Sequence, residues 1–247
     1  MLRAVIFDMG NTLLEFKRPG RRTWREFEER GIRSVYQYLI EQGHPLPDQE
    51  DAFVEVMFTR LAEGWEQATG GHVNLRAADW IAQGVAHHAL TLDDETMRVA
   101  VQHYARPLRM GVSATAGAVE VLAGLRARGL RVGLISNTIW PGELHLEDLA
   151  EVGVLPYLEH TIFSGDVGIW KPNPAIFTHM LDALEVSSAE AVFVGDSPRE
   201  DVVGAQRVGM RAVLVRGLEF PLGDVRPDAA IETLHELPPL LERWSTD

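Results

Sequence analysis

Ala4-Val5-Ile6-Phe7-Asp8-Met9-Gly10-Asn11-Thr12-Leu13 is the stretch on which the reading of the fold turns. Four apolar residues end abruptly in a carboxylate, and the turn-forming residues Gly10, Asn11 and Thr12 follow. A short apolar run bounded in this way reads as a strand, here residues 2–8, buried on both faces. Its carboxylate is then delivered at the strand's carboxyl end, where open α/β sheets place their ligand crevices. Taken singly, a strand-end Asp is often no more than the cap of the next helix. The weight of Asp8 comes from what stands at the other strand ends.

Beyond residue 114 strands and helices alternate. The pattern predicts a helix over 117–128 closed by Gly129, a strand over 131–136, a helix over 144–151 and a strand over 160–164. A helix over 174–184, a strand over 191–195 and a helix over 199–208 closed by Gly209 come next. A strand over 211–215, a short strand near 228–231 and a helix over 233–243 complete the series. Such alternation means a parallel sheet covered on both faces by helices. The first strand must join it, because alone it could satisfy neither its backbone groups nor its apolar faces.

Residues 17–110 read differently, as helices near 22–42, 48–67, 75–90 and 93–104. Gly43-His44-Pro45, Gly70-Gly71 and Pro107 mark the breaks. The chain thus divides into an α/β core of residues 1–16 and 111–247 and an inserted α-helical cap of residues 17–110. The helix-spaced aromatic residues Trp24, Phe27, Tyr36, Phe53, Phe58, Trp65 and Trp80 are expected to form the core of the helical piece.

Composition narrows the functional classes. A net charge of −13 over 247 residues argues against a nucleic-acid or membrane surface, yet admits a small anion held by one or two local cations. There is no cysteine, which excludes thiol catalysis, disulfides and thiolate metal sites. The opening apolar run is too short for a signal peptide and no segment has the length of a membrane helix, so a soluble, cytoplasmic protein is expected. Of the 23 basic residues only Lys17 and Lys171 are lysine. A chain so biased towards arginine keeps a lysine by chance or where a compact ammonium is needed.

Three further strand ends carry notable residues. The strand over 131–136 finishes in Ser136-Asn137-Thr138. After the next, Gly168-Ile169-Trp170-Lys171-Pro172-Asn173-Pro174 leads into a helix, and the fourth runs into Gly195-Asp196-Ser197-Pro198-Arg199-Glu200-Asp201. A parallel sheet places all of these at one edge. Two carboxylates 4 Å apart repel by about 4 kcal/mol at an effective dielectric of 20. Asp8, Asp196 and Asp201 therefore need compensation, and a divalent cation together with Lys171 supplies it. An oxygen-only site suits Mg²⁺. An ammonium and a hydroxyl beside it suit a phosphoryl group, with Asp8 as the attacking nucleophile.

These four segments, in this order and with a helical insertion after the first strand, resemble the motifs of the haloacid dehalogenase-like hydrolase superfamily over essentially the whole chain. The resemblance implies a Rossmann-like core and a covalent aspartyl intermediate on Asp8. It implies phosphate contacts from Ser136 and Lys171, with Asn137 and Thr12 in the same motifs as further substrate contacts. Mg²⁺ would be held by Asp8, the backbone carbonyl of Gly10 and Asp196, with Asp201 supporting the site. A small phosphorylated metabolite is the expected partner.

Gly10 departs from the pattern. Phosphatases of the superfamily usually carry a second Asp at this place, as acid for the leaving group and base for the attacking water. General acid–base groups contribute about 10²–10⁴ in rate, so turnover without one slows while nucleophile, metal and phosphate binding survive. Three readings stay open beside the Mg²⁺-dependent phosphatase. A 2-haloacid dehalogenase needs neither that acid nor a metal, although Asp196 beside the nucleophile argues against it. A phosphonate hydrolase would need Lys17 as its Schiff-base lysine. A binding protein that lost turnover with Gly10 is the non-enzymatic alternative. Arg18, Arg21 and Arg22, near the hinge, could reach a second anionic group on the substrate, but are expected instead to be solvated or to pair with Glu26, Glu28 and Glu29 as helix-face neighbours, and His72, His87 and His88 are read as structural or surface residues.

Overall fold

The structure, a computed structural model, describes residues 1–16, 23–69, 74–216 and 221–246. Lys17, Arg18, Arg21, Arg22, His72 and the expected break at Gly70-Gly71 lie outside the described residues. Six parallel strands form one sheet in the order β5-β4-β1-β6-β7-β8. They are β1 Ala4–Phe7, β4 Arg131–Ser136, β5 His160–Phe163, β6 Ala191–Gly195, β7 Arg211–Val215 and β8 Ala229–Ile231. The apolar content of each strand decides its place. All residues of β1 and β6 are buried, whereas β5 and β8 carry exposed or half-buried residues and form the edges. In register, Phe7 lies beside Leu134 on one side and Val194 on the other. The chain steps outward from β1 to β4 and β5, then returns to the far side of β1 as β6. That reversal is the place where doubly wound sheets open a crevice at their carboxyl ends.

By internal packing the chain separates into two units. One comprises Met1–Glu15, Val112–Asn137 and His145–Asp247, and the other Phe16–Gly111 with Thr138–Leu144. In the first, α5 Ala118–Ala127, α8 Pro174–Ala183 and α10 Leu237–Thr246 are the longer helices, with short turns at α7 Ser164–Val167 and α9 Gly204–Arg207. Helix α6 Gly142–Glu151 begins in the second unit and ends in the first. One core cluster joins Ala4 and Ile6 of β1 to Ile135, Phe193, Leu214 and the α8 residues Ile176, Phe177 and Met180. A two-stranded ribbon, β2 Leu14–Phe16 with β3 Val112–Ala114, was not foreseen from the sequence. Three residues are too few to show a period of two.

The helical unit contains α1 Trp24–Glu41, α2 Glu50–Thr69, α3 Ala77–Ala86 and α4 Asp94–Arg109. Thr23 and Glu26 form a reciprocal capping box at the start of α1, and Asp93 accepts the Thr96 N–H at 2.7 Å at the start of α4. Helix α1 packs on α4 and α2, and α3 packs on both α2 and α4. Pro107, expected to end the last helix, lies inside α4. It sits in the final turn, where its missing N–H forfeits one bond to the carbonyl four residues back. Phe27, Tyr36, Phe53 and Trp80 are buried as expected, and Tyr104 joins them. Trp65 is 38% exposed instead, meeting the half-buried Trp24 at a ring separation of 6.1 Å. The segment after β4 belongs to this unit too: Ala77 N–H donates to the Ile139 carbonyl at 2.7 Å, and Trp140 meets Tyr104 edge-on at 6.4 Å. No helix among the described residues is long and apolar enough to cross a membrane.

Candidate active site

Asp8 follows β1 directly and its N–H donates to the Val194 carbonyl of β6 at 2.9 Å, so the sheet ladder itself fixes its backbone. The chain then turns sharply. Leu13 and Leu14 donate to the Met9 carbonyl, and Asn11 donates to the Leu14 carbonyl at 2.7 Å. Asn11 takes a left-handed φ of 54°, a conformation that asparagine tolerates better than most side chains. Gly10 lies inside this turn, bridged to Leu14.

Lys171 is the hub. Its ammonium donates to Asp8 Oδ1 at 2.6 Å and to Asp201 Oδ1 at 2.7 Å, with only 4% of the residue exposed. It also lies 5.3 Å from the centre of the Phe193 ring, on the strand beside β1. Asp201 is held in turn from behind, because its Oδ2 accepts the Ser197 N–H at 2.9 Å. The region expected as one helix over 199–208 starts as a wide π-helical turn, Pro198–Val203, before α9. There the Ser197 carbonyl accepts from both Asp201 and Val202. π-turns recur at functional sites because they re-aim a side chain, and here the carboxylate folds back onto its own strand end. Gly195 makes room for it, since any Cβ at that position would fall on the Asp201 carboxylate.

Asp196 completes the cluster. One oxygen from each of Asp8, Asp196 and Asp201 lies within 4.8 Å of the others. Asn11 Nδ2 donates to Asp196 Oδ2 at 3.2 Å. Burial pushes Asp8 up to about 7, with Lys171 pulling down and Asp201 and Asp196 pushing further up. Burial and the charge of Asp201 likewise push Asp196 up to about 6. For Lys171 burial pulls downward, but Asp201 and Asp8 overcome it and hold the ammonium above its ordinary value. Lys171 therefore stays charged while the carboxylates remain short of positive charge. Three carboxylates against one ammonium leave a deficit of the size a divalent cation fills, and an all-oxygen donor set is the kind Mg²⁺ accepts. The residues present fit such an ion.

The remaining expected site residues separate by geometry. Ser136 ends β4, is buried, and its Oγ donates to the Asn137 carbonyl in a long bond of 3.5 Å. Asn137, expected as a substrate contact, binds the Lys171 backbone: Oδ1 accepts the Lys171 N–H at 2.8 Å and Nδ2 donates to the Lys171 carbonyl at 3.0 Å. Thr12 is fully buried and its Oγ1 has no hydrogen-bond partner among the described residues. Sequence reasoning missed Asn11, which holds Asp196, and Gly195, which admits Asp201. Both stand next to a motif carboxylate or glycine, and that adjacency was the available signal.

A doubly wound parallel sheet gathers an ammonium and three carboxylates at one edge, the class of α/β protein equipped for nucleophilic chemistry at a strand-end aspartate. The family model of haloacid dehalogenase-like hydrolases matches residues 2–209, so the chain belongs to that family. Over 226 residues it is 30% identical to a glyceraldehyde 3-phosphate phosphatase of Pyrococcus abyssi, covering 86% of this chain and 81% of the relative. Over 117 residues it is 39% identical to a phosphoserine phosphatase of Thermus thermophilus, a match that takes in 47% of this chain and spans just 46% of that relative's length. Among solved structures it is similar to a 2-haloacid dehalogenase of Pseudomonas syringae pv. Tomato. The two superpose with a TM-score of 0.69 at 26% identity, over 99% of this chain and 100% of the other.

Proposed function

We propose that this hydrolase is a Mg²⁺-dependent phosphatase of a small phosphorylated metabolite, acting in the cytoplasm through an aspartyl-phosphate on Asp8. The observation that carries the reading is the buried Lys171 ammonium bridging Asp8 and Asp201, with a carboxylate oxygen of Asp196 within 4.8 Å of one from each. Lys171 holds Asp8 through Oδ1, which leaves Oδ2 as the attacking oxygen. A bond forms from that oxygen to phosphorus and the bond to the leaving oxygen breaks. With Gly10 in place of a carboxylic acid, the leaving oxygen takes its proton from water. Water then attacks phosphorus and yields its proton to the hydroxide left by that first transfer, the aspartyl bond to phosphorus breaks, and Asp8 is regenerated. Lys171 and the Ser136 hydroxyl offset and orient the phosphoryl oxygens throughout. Asp8, Asp196 and the Gly10 carbonyl would hold Mg²⁺, with Asp201 in support. The ion, when bound, would offset the negative charge on the phosphoryl oxygens.

The division of the chain into a catalytic core of residues 1–16 and 111–247 and a substrate-selecting cap of residues 17–110 is part of this proposal. Relatives named as phosphatases of small phosphate esters support the substrate class. The dehalogenase is the second reading, favoured by Gly10 and by the likeness to a solved dehalogenase. Asp196 weighs against it, since a second carboxylate beside a nucleophile that works without a metal would only weaken attack. A panel of phosphorylated metabolites and 2-haloacids, each assayed with Mg²⁺ and with chelator, tests the two. The proposal expects phosphate release that chelator abolishes and Mg²⁺ restores, and halide release undiminished in chelator would overturn it.

A further inference from the structure

Lys171 lies between α7 and α8, outside either helix and outside the sheet, so its backbone N–H and C=O have no ladder to join. Buried backbone groups need partners, and Asn137 supplies both from a site 34 residues away in the chain. The chemistry leaves one orientation for this amide. The Lys171 N–H demands the oxygen and the Lys171 carbonyl demands the nitrogen, at 2.8 and 3.0 Å. Asn137 itself follows β4 immediately, and β4 pairs over Arg131–Leu134 with β1, which Asp8 follows directly. The two-point clamp therefore ties the Cα of Lys171 to the frame that carries Asp8. The Lys171 side chain is buried along with its ammonium, which is held 2.6 Å from one carboxylate and 2.7 Å from another, so the packed stem has little room to absorb drift at its base.

We propose that Asn137 is a positioning residue that sets the Lys171 ammonium between Asp8 and Asp201, and is not a substrate contact. The inference rests on Lys171 acting at Asp8 as described above. It divides the labour of the second motif: Ser136 keeps its hydroxyl for the substrate, and Asn137 spends its amide on the backbone of another catalytic residue.

The chain contains just two lysines, which makes the test direct. In protein labelled with ¹³C-lysine, the side-chain signals of Lys17 and Lys171 can be told apart by the Lys171→Met variant. Asn137→Ala should move the Lys171 signal towards that of a free lysine and leave the Lys17 signal in place. With 4-nitrophenyl phosphate and Mg²⁺, kcat should fall about tenfold to a hundredfold with KM changed less than about threefold, the pattern of a misplaced catalytic group. In a Lys171→Met background, Asn137→Ala should cost no further residual rate. Should the alanine variant fail to fold, Asn137→Asp keeps shape and acceptor but loses the donor to the Lys171 carbonyl, and should move the same signal. A raised KM at unchanged kcat, losses that multiply in the double variant, or an unmoved Lys171 signal would each overturn the assignment. If Lys171→Met itself keeps full turnover, the phosphatase reading fails first, and the lysine signals still report whether the clamp exists.

Discussion

At the scale of single residues, charge placement dominates. Asp8→Asn removes the nucleophile and one of three crowded carboxylates while keeping the shape of the side chain. Turnover should vanish with the melting temperature held or raised, and near-normal turnover would dismiss the covalent mechanism. Lys171→Arg conserves the charge but not the geometry. A guanidinium is a wide planar fork, and the ammonium it replaces is buried between two carboxylates and faces the Phe193 ring. Most activity should be lost, and kinetics at saturating Mg²⁺ that match the parent would count against the close fit. Deleting the charge altogether, as in Lys171→Met, leaves Asp8 and Asp201 buried without their cation. Breaking a buried pair in this way typically costs about 3–5 kcal/mol.

At the scale of elements, close approach of backbones decides. Gly31 lies within α1 where that helix crosses α4, and a Cβ there would sit 2.5 Å from the Tyr104 carbonyl oxygen. Two effects compete in Gly31→Ala. Helix propensity favours alanine by about 1 kcal/mol, and overpacking against an immovable backbone costs about 1–3 kcal/mol. The clash should win, lowering the melting temperature, whereas a rise would mean that α1 and α4 separate at no cost. Elements also show where sequence patterns lose resolution. The wide turn at Pro198–Val203 carries helical composition, and only the Ser197 carbonyl accepting from Val202 reveals its extra residue. Pro107 reads as a stop, yet in the last turn of α4 its cost is a single hydrogen bond.

For the whole molecule, the cluster makes stability depend on both pH and metal. The carboxyl groups of Asp8 and Asp196 stand at about 7 and about 6, above their ordinary value of 3.8, chiefly through burial. An acid whose pKa rises on folding binds its proton more tightly in the native state. Its contribution is intact below the unfolded pKa and is lost as pH climbs towards the folded one. In chelator, these two groups should therefore weaken the fold between about pH 4 and pH 7. Mg²⁺ competes with protons for the same oxygens, so its stabilising shift in melting temperature should be small at pH 5 and large at pH 8. Equal shifts at both values would place the ion elsewhere.

The sequence by itself determined the parallel sheet, the order of its helices and strands, and the identity of the clustered charges. Those features are written locally: apolar runs such as Ala4–Phe7 have one way to be buried, and the motif residues stand beside them at strand ends. Tertiary structure alone decided three other things. It brought Asp8, Lys171 and Asp201 within hydrogen-bond reach across chain separations that no local pattern encodes. It sent the segment after β4, with Trp140, into the helical unit, because that segment finds its partners in Ala77 and Tyr104. And it gave the Asn137 amide to the backbone of Lys171, since a loop residue between two helices must find its hydrogen bonds wherever the fold supplies them.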